Sequence, residues 1–385
     1  MNERMKHIIS KAIDAAVAAE EWTVVDGGLL DEFERAAAVL FGTRWAIATN
    51  NGTNALLAAA AALRLPPGSR ILVPSYGFYG MLAPFRFLGI SPVLVPVGLD
   101  TLCASTSDYS LGLVTEPAAV LVFHPWGNIG PAEEVYQWAS DLGMPTIVDL
   151  SHAHGALAGD VKIGALGTIC AASFGRGKLL TGGELGVCVT DDSLLAARVK
   201  ALGHPNRPRA PLPEEWGTGD DILTHSYGPK LRPSGLSLAM VLAQFPGFSS
   251  LSERRRATAQ FMEREAERCG AFEAIPRRTD AIHQFWRLVL KGRRNLPSEA
   301  AAILGEFGFP LDGAGYRSLL SDHPIQHSPG APIIDECLPQ AWVEEARRTL
   351  RRLIYLDVPE PDVDSEARWK SAMFAVSRLV PQPGR

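Results

Sequence analysis

The sequence is poor in the features that commit a chain to an unusual environment. Its 385 residues include only five cysteines, Cys103, Cys170, Cys188, Cys269 and Cys337. Their number is odd and their spacing fits neither a disulfide framework nor a zinc site, so reduced thiols in a cytoplasmic protein are expected. No run reaches the roughly 18 apolar residues needed to span a bilayer. The start carries Arg4 and Lys6, but residues 8–19 include Lys11 and Asp14 and read as an amphipathic helix rather than a leader segment. Charge of one sign is missing too. Lys and Arg number 37 against 42 Asp and Glu, a formal net charge of -5, which gives nucleic acid or an anionic membrane no electrostatic handle. There is no internal repeat and no low-complexity tract. What is left, 46% hydrophobic and 21% charged, describes a soluble globular protein. Its length allows one large domain and a smaller one.

From residue 45 to 190, short apolar runs (45–49, 70–74, 92–97, 119–124, 146–149, 171–174 and 186–190) alternate with helical segments such as 53–63, 79–88 and 132–142. That alternation predicts a largely parallel sheet covered on both faces. Ligands of such sheets sit at the carboxyl ends of the strands. Residues 203–233 are rich in Pro, Gly and charge, a long loop expected to be functional or part of an interface. Beyond it, helices at 251–269, 298–306, 340–353 and 365–379 and a strand at 285–290 predict a smaller α+β domain, with the N-terminal helix packed on it. The expected division is 1–245 and 246–385.

Three strand ends carry chemistry. At Thr49-Asn50-Asn51-Gly52-Thr53, a strand turns through Gly52 into an alanine-rich helix whose first amides suit a phosphate, or are simply capped. Asp149 ends an apolar strand, where a buried carboxylate calls for a cation such as a protonated pyridine nitrogen, or else caps a helix. His152 and His154 follow it, two apart and with no third ligand spaced for zinc. In Ser173-Phe174-Gly175-Arg176-Gly177-Lys178, one lysine stands among small and apolar residues, where it is easier to deprotonate, or it is a loop lysine in solvent. Singly, none of the three decides anything. Their order on one sheet does: phosphate turn, then acid, then lysine is the order found in fold-type I pyridoxal-phosphate (PLP) enzymes.

The residues resemble more narrowly the sugar aminotransferase family named after DegT, DnrJ, EryC1 and StrS. Asn51-Gly52-Thr53-Asn54-Ala55-Leu56 is similar to the family's Ser-Gly-Thr-x-Ala-Leu, and Val73-Pro74-Ser75-Tyr76-Gly77-Phe78 to its Val-Pro-Ser-x-x-Phe. Phe123-His124-Pro125-Trp126-Gly127 resembles Val-His-x-Tyr-Gly. Asp149, His154, Gly155 and Ala156 fall on its acid and His-Gly-Ala positions. Ser173, Phe174, Lys178, Leu180, Thr181, Gly183 and Glu184 match Ser-Phe-x-x-x-Lys-x-Leu-Thr-x-Gly-Glu. The resemblance is densest over residues 33–198.

The resemblance implies a fold-type I PLP-dependent transferase, with a mainly parallel seven-stranded sheet flanked by helices and a smaller C-terminal α+β domain. By position, Lys178 forms the Schiff base with PLP and Asp149 pairs with its ring nitrogen. Phe78 stacks on the ring, His152 lies beside it, and Gly52, Thr53 and Ser173 hold the phosphate. Lys230 is the counterpart of a residue that reaches the phosphate across a homodimer. Glutamate or glutamine is the implied amino donor, a keto sugar or ketocyclitol the acceptor. His152 stands where the family has Gln, and its charge is expected to respond to pH. Leu185 replaces a family Gly, and the acceptor region around Gly313-Ala314-Gly315-Tyr316 and His323-Pro324 departs further. Another PLP reaction (elimination, decarboxylation or carbon–carbon bond formation) is the alternative. A non-catalytic binding protein would call for a basic patch, whereas Arg254-Arg255-Arg256 reads as a solvated helix face.

Overall fold

The computed structural model describes residues 3–20, 27–204, 207, 228–294, 298–311, 316–323, 335–359 and 363–379. The apolar runs become strands β1 (Trp45–Thr49), β2 (Arg70–Pro74), β3 (Ser91–Val95), β4 (Ala119–Phe123) and β5 (Thr146–Asp149). A hairpin of β6 (Leu157–Ala158) and β7 (Val161–Lys162) follows, then β8 (Ile169–Ser173) and β9 (Gly186–Thr190). Later come β10 (Phe272–Ala274), β11 (Ala281–Ile282), β12 (Leu288–Gly292), β13 (Asp335–Glu336) and β14 (Leu353–Leu356). The main sheet runs β1-β9-β8-β5-β4-β2-β3-β13, so the seven expected strands are joined by a two-residue eighth. Among the described strands of this sheet only β9 is antiparallel, to β1 and to β8. All the other carboxyl ends therefore share one edge, because β2, β3, β4, β5 and β8 pair in parallel.

The helices are α1 (Glu3–Ala18), α2 (Gly28–Phe41), α3 (Gly52–Ala62), α4 (Ala83–Phe87), α5 (Thr106–Ser110), α6 (Ala132–Asp141) and α7 (Ser193–Gly203). After them come α8 (Gly235–Leu242), α9 (Phe248–Arg268), α10 (Ser298–Glu306), α11 (Gln340–Leu350) and α12 (Val363–Ser377). Alternate strand residues feed two cores, as period-2 geometry requires. Ala48, Val93, Val122, Val148 and Val187 meet Phe33 and Phe41 of α2 and Val135 of α6 on one face. Ile71, Leu94, Leu121, Ile147 and Ile169 meet the alanines of α3 and Val199 of α7 on the other. Each buried Val, Leu, Ile or Phe among them contributes about 1.5–3 kcal/mol by leaving water. A third core gathers Met262, Phe272, Leu290, Leu304, Ile354 and Trp369 from α9, α10, α12 and the antiparallel sheet β10-β12-β14.

Three expectations change. The N-terminal helix packs on α8 rather than on the C-terminal part, because Ala12 and Ala16 are small enough to seat against Ala239. The segment 340–353 is not one helix; α11 stops at Leu350 and Leu353–Leu356 pairs with β12. Arg255 does not face solvent. Its guanidinium donates to the carbonyls of Phe285, Val358 and Trp286 at 2.6–2.9 Å, and burial lowers its pKa to about 10.

Candidate active site

The turn after β1 begins the site. The Asn51 side chain caps α3 by accepting from the Asn54 amide at 2.8 Å, and the Asn51 carbonyl accepts from Ala55. The Gly52 and Thr53 amides thus head the helix without intrahelical acceptors. Gly52 is required there by closeness: a Cβ would lie 2.4 Å from Ser173 Cβ and 3.0 Å from Ser173 Oγ. Two amides free of intrahelical bonds, a hydroxyl and the positive end of a helix form an anion cradle. The strand end is held from outside by Leu231, whose carbonyl accepts from the Asn50 amide at 2.6 Å. Lys230, the residue before Leu231, is exposed.

Ser173 links the cradle to the acid. Its amide donates to Ser151 Oγ at 3.1 Å, and the Ser151 amide donates to Asp149 Oδ1 at 2.9 Å. Asp149 is only 4% exposed and has no ion-pair partner among the described residues. Burial pushes its carboxyl above the usual range, while the Ser151 hydrogen bonds and the Lys178 charge pull it back. Such a group is ready for a cation that it hydrogen-bonds. Lys178 sits on the turn after β8, its amide bonded to the Gly175 carbonyl at 3.1 Å. Burial lowers its amine to about 8, opposed by Asp149 and assisted by Arg287.

His152 and His154 part company. His154 donates from Nε2 to the Ser173 carbonyl at 2.9 Å, and its ring stacks on Phe174 at 4.6 Å. His152 accepts the Trp126 amide on Nδ1 at 3.0 Å. Burial, with the Lys178 and Arg287 charges, holds His152 well below the ordinary imidazole range. The expected pH-responsive charge is therefore corrected: an imidazole enclosed by Phe123, Trp126 and Trp286 stays neutral at physiological pH. Phe78 stands at the mouth, 39% exposed, its ring 4.7 Å from Tyr79 and 6.3 Å from Tyr316. Of the acceptor region, Tyr316 and His323 are described, while Gly313, Ala314, Gly315 and Pro324 lie outside the described residues.

A profile of the DegT/DnrJ/EryC1/StrS aminotransferase family matches residues 4–306. The chain belongs to this family. Among relatives it is 27% identical to a GDP-perosamine synthase of Caulobacter vibrioides over 80% of both chains. It is 26% identical to an L-glutamine:2-deoxy-scyllo-inosose aminotransferase of Streptomyces paromomycinus, over 66% of this chain and 61% of that one. In fold it is similar to an E coli GDP-4-keto-6-deoxy-D-mannose-3-dehydratase solved with bound hydrated PLP. That likeness has a TM-score of 0.79 at 17% identity, covering 95% of this chain and 96% of the other. Family members of known activity thus include aminotransferases acting on sugars and cyclitols. Among the described residues no three His, Cys, Asp or Glu gather to hold a metal ion. No described helix is long and apolar enough to cross a membrane.

Sequence reasoning missed an aromatic wall contributed largely by the C-terminal part. Trp126 adopts the left-handed region (φ 60°), uncommon for a bulky residue. Its indole N–H donates to Tyr76 Oη at 2.8 Å, Tyr76 Oη lies 3.0 Å from Tyr355 Oη, and Tyr355 donates to the Tyr316 carbonyl at 2.7 Å. With both ends fixed, the Tyr76 proton must point to Tyr355. Trp286 stacks on Trp126 with planes 6° apart. The left-handed Trp126 could have been suspected from the Pro125-Trp126-Gly127 turn, but no local signal marks Trp286, Tyr316 or Tyr355.

Proposed function

We propose that the chain uses PLP to move an amino group from glutamate or glutamine to the carbonyl of a keto sugar or ketocyclitol. The observation that carries this reading is a buried carboxylate with no contact ion pair among the described residues, in one site with a lysine whose charge it feels and whose amine is lowered to about 8. The residues fit the cofactor: the cradle at Gly52, Thr53 and Ser173 suits its phosphate, and Asp149 suits its ring nitrogen. When bound, PLP supplies an electron sink for breaking a bond to the substrate carbon. Asp149 would hold the proton on the ring nitrogen. Lys178 Nζ, a fraction of which is unprotonated near neutral pH, would anchor the cofactor and, once released, would be placed to act as general base toward the substrate proton. Neutral His152 offers one hydrogen bond beside the ring without adding charge. Phe78 would cover the ring, and the aromatic wall would keep water from the reacting carbon.

The same proposal includes a cytoplasmic homodimer in which Lys230 reaches the partner's phosphate. It also includes a division into residues 1–245 and 246–385, which the separate core of the C-terminal elements supports. The test is the visible spectrum of the protein with PLP, before and after L-glutamate or L-glutamine. Wild type should show a visible band that the donor bleaches, and Lys178→Ala should lose donor-dependent bleaching and all turnover. Turnover retained in folded Lys178→Ala sinks the assignment. A band that no amino donor bleaches points instead to another PLP reaction.

A further inference from the structure

Trp286 is fixed from several directions at once. Its amide donates to the Trp126 carbonyl at 3.1 Å. Its carbonyl accepts from Arg255 Nη2 and from Arg287 Nη1, both at 2.9 Å. Its ring lies 5.3 Å from that of Trp126 and 3.8 Å from that of His152. A buried indole N–H needs an acceptor, and the one it finds is the carbonyl of Gly177, at 2.6 Å, in the residue just before Lys178. The Lys178 Nζ lies over the same ring, 4.0 Å from its centroid. That is well inside the range of roughly 6 Å over which a cation is attracted to an aromatic face.

We propose that Trp286 is the positioning residue for Lys178, its face holding the amine and its indole N–H holding the turn that carries it. A lysine side chain has many rotamers, and an amine that must act at one carbon gains from being delivered to one place. Two contacts from one rigid side chain supply that restraint. The charged and titratable groups facing the amine are Asp149 from β5, which favours its protonated form, Arg287, which disfavours it, and the neutral imidazoles of His152 and His154. Trp286 is the uncharged member of this set that favours the ammonium. Because it comes from the segment between β11 and β12, it also ties the lysine turn to the C-terminal part of the chain.

The functional meaning rests on the role given to Lys178 above, but the measurement does not. Full-length protein freed of cofactor is pulsed with acetic anhydride over a pH series, and labelling of the Lys178 peptide is read by mass spectrometry. Protein grown with fluorinated tryptophan keeps the shape of the indole while weakening its negative face. The midpoint of Lys178 labelling should fall by about 0.3–1 pH unit, a twofold to tenfold change in proton affinity. Trp286→Phe keeps a face and loses the indole N–H, so amide exchange at Lys178 and Leu179 should quicken. An unmoved or raised midpoint at full fluorine incorporation overturns the positioning role, as does unchanged exchange in folded Trp286→Phe. Failure of the PLP reading shows separately, as wild type that gains no visible band with PLP.

Discussion

Gly52→Ala is the sharpest test of the phosphate cradle. The added methyl would sit 2.4 Å from Ser173 Cβ and 3.0 Å from both Ser173 Cα and Oγ, about 1 Å inside ordinary carbon–carbon contact. Ser173 has nowhere to go. It is the last residue of β8, which pairs with β5 on one side and β9 on the other. The start of α3 must therefore move away, and with it the Gly52 and Thr53 amides. Overpacking of this kind costs about 1–3 kcal/mol of stability. Misplacing one charge-assisted hydrogen bond to phosphate costs about 1.5–3 kcal/mol of binding, which is about 10- to 150-fold in Kd. Titration of PLP and of pyridoxal, which lacks the phosphate, into cofactor-free protein separates the two effects. PLP should weaken by that factor and pyridoxal by less than about threefold. Equal losses for the two, or an unchanged Kd for PLP, would refute the cradle.

Tyr355→Phe leaves the Tyr76 hydroxyl and the Tyr316 carbonyl without their shared partner, at a cost of about 1–3 kcal/mol. A lower melting temperature and faster hydrogen exchange over residues 316–323 are expected, and unchanged values would show the chain of hydroxyls to be dispensable. His154 is held neutral by burial, its pKa lowered to about 3, against 6.5 for an unburied imidazole. The unfolded chain binds a proton below pH 6.5 that the folded chain refuses, so His154 lowers stability as pH falls through that range, and the loss levels off near pH 3. His154→Gln, which can still donate to the Ser173 carbonyl, should narrow the gap in melting temperature between neutral and mildly acidic buffer. A gap as wide as in wild type would mean that His154 is not buried as a neutral ring.

The parts of the protein legible in its sequence are those set by local pattern. The strands from Trp45 to Thr190 announce themselves because a strand buried on both faces is continuously apolar, and their ends and the segments after them carry Gly52, Asp149 and Lys178 at the sheet's carboxyl edge. The strand at 353–356 was hidden by continuity with α11, since Leu353, Ile354 and Leu356 also satisfy a helical period until pairing with β12 decides. The charge state of His152 depends on Trp126 and Trp286, which lie far away in sequence. Arg255 reads as a surface residue until the carbonyls of residues 285, 286 and 358 are folded around it. What pattern could not supply is long-range enclosure.

The placement of β1 bears on how the protein is made. Among the described residues its only strand partner is β9, with Trp45 opposite Thr190, and its other flank is closed by His204, whose Nε2 lies 2.6 Å from the Ala48 carbonyl, and by Leu231. On a ribosome adding about 5–20 residues per second, the wait from β1 to β9 is about 7–30 s. During that time β1 and the turn that follows it have no sheet to join. The anion cradle is thus written early in the chain and completed late, and nascent chains ending before residue 190 should have no PLP-phosphate site to offer.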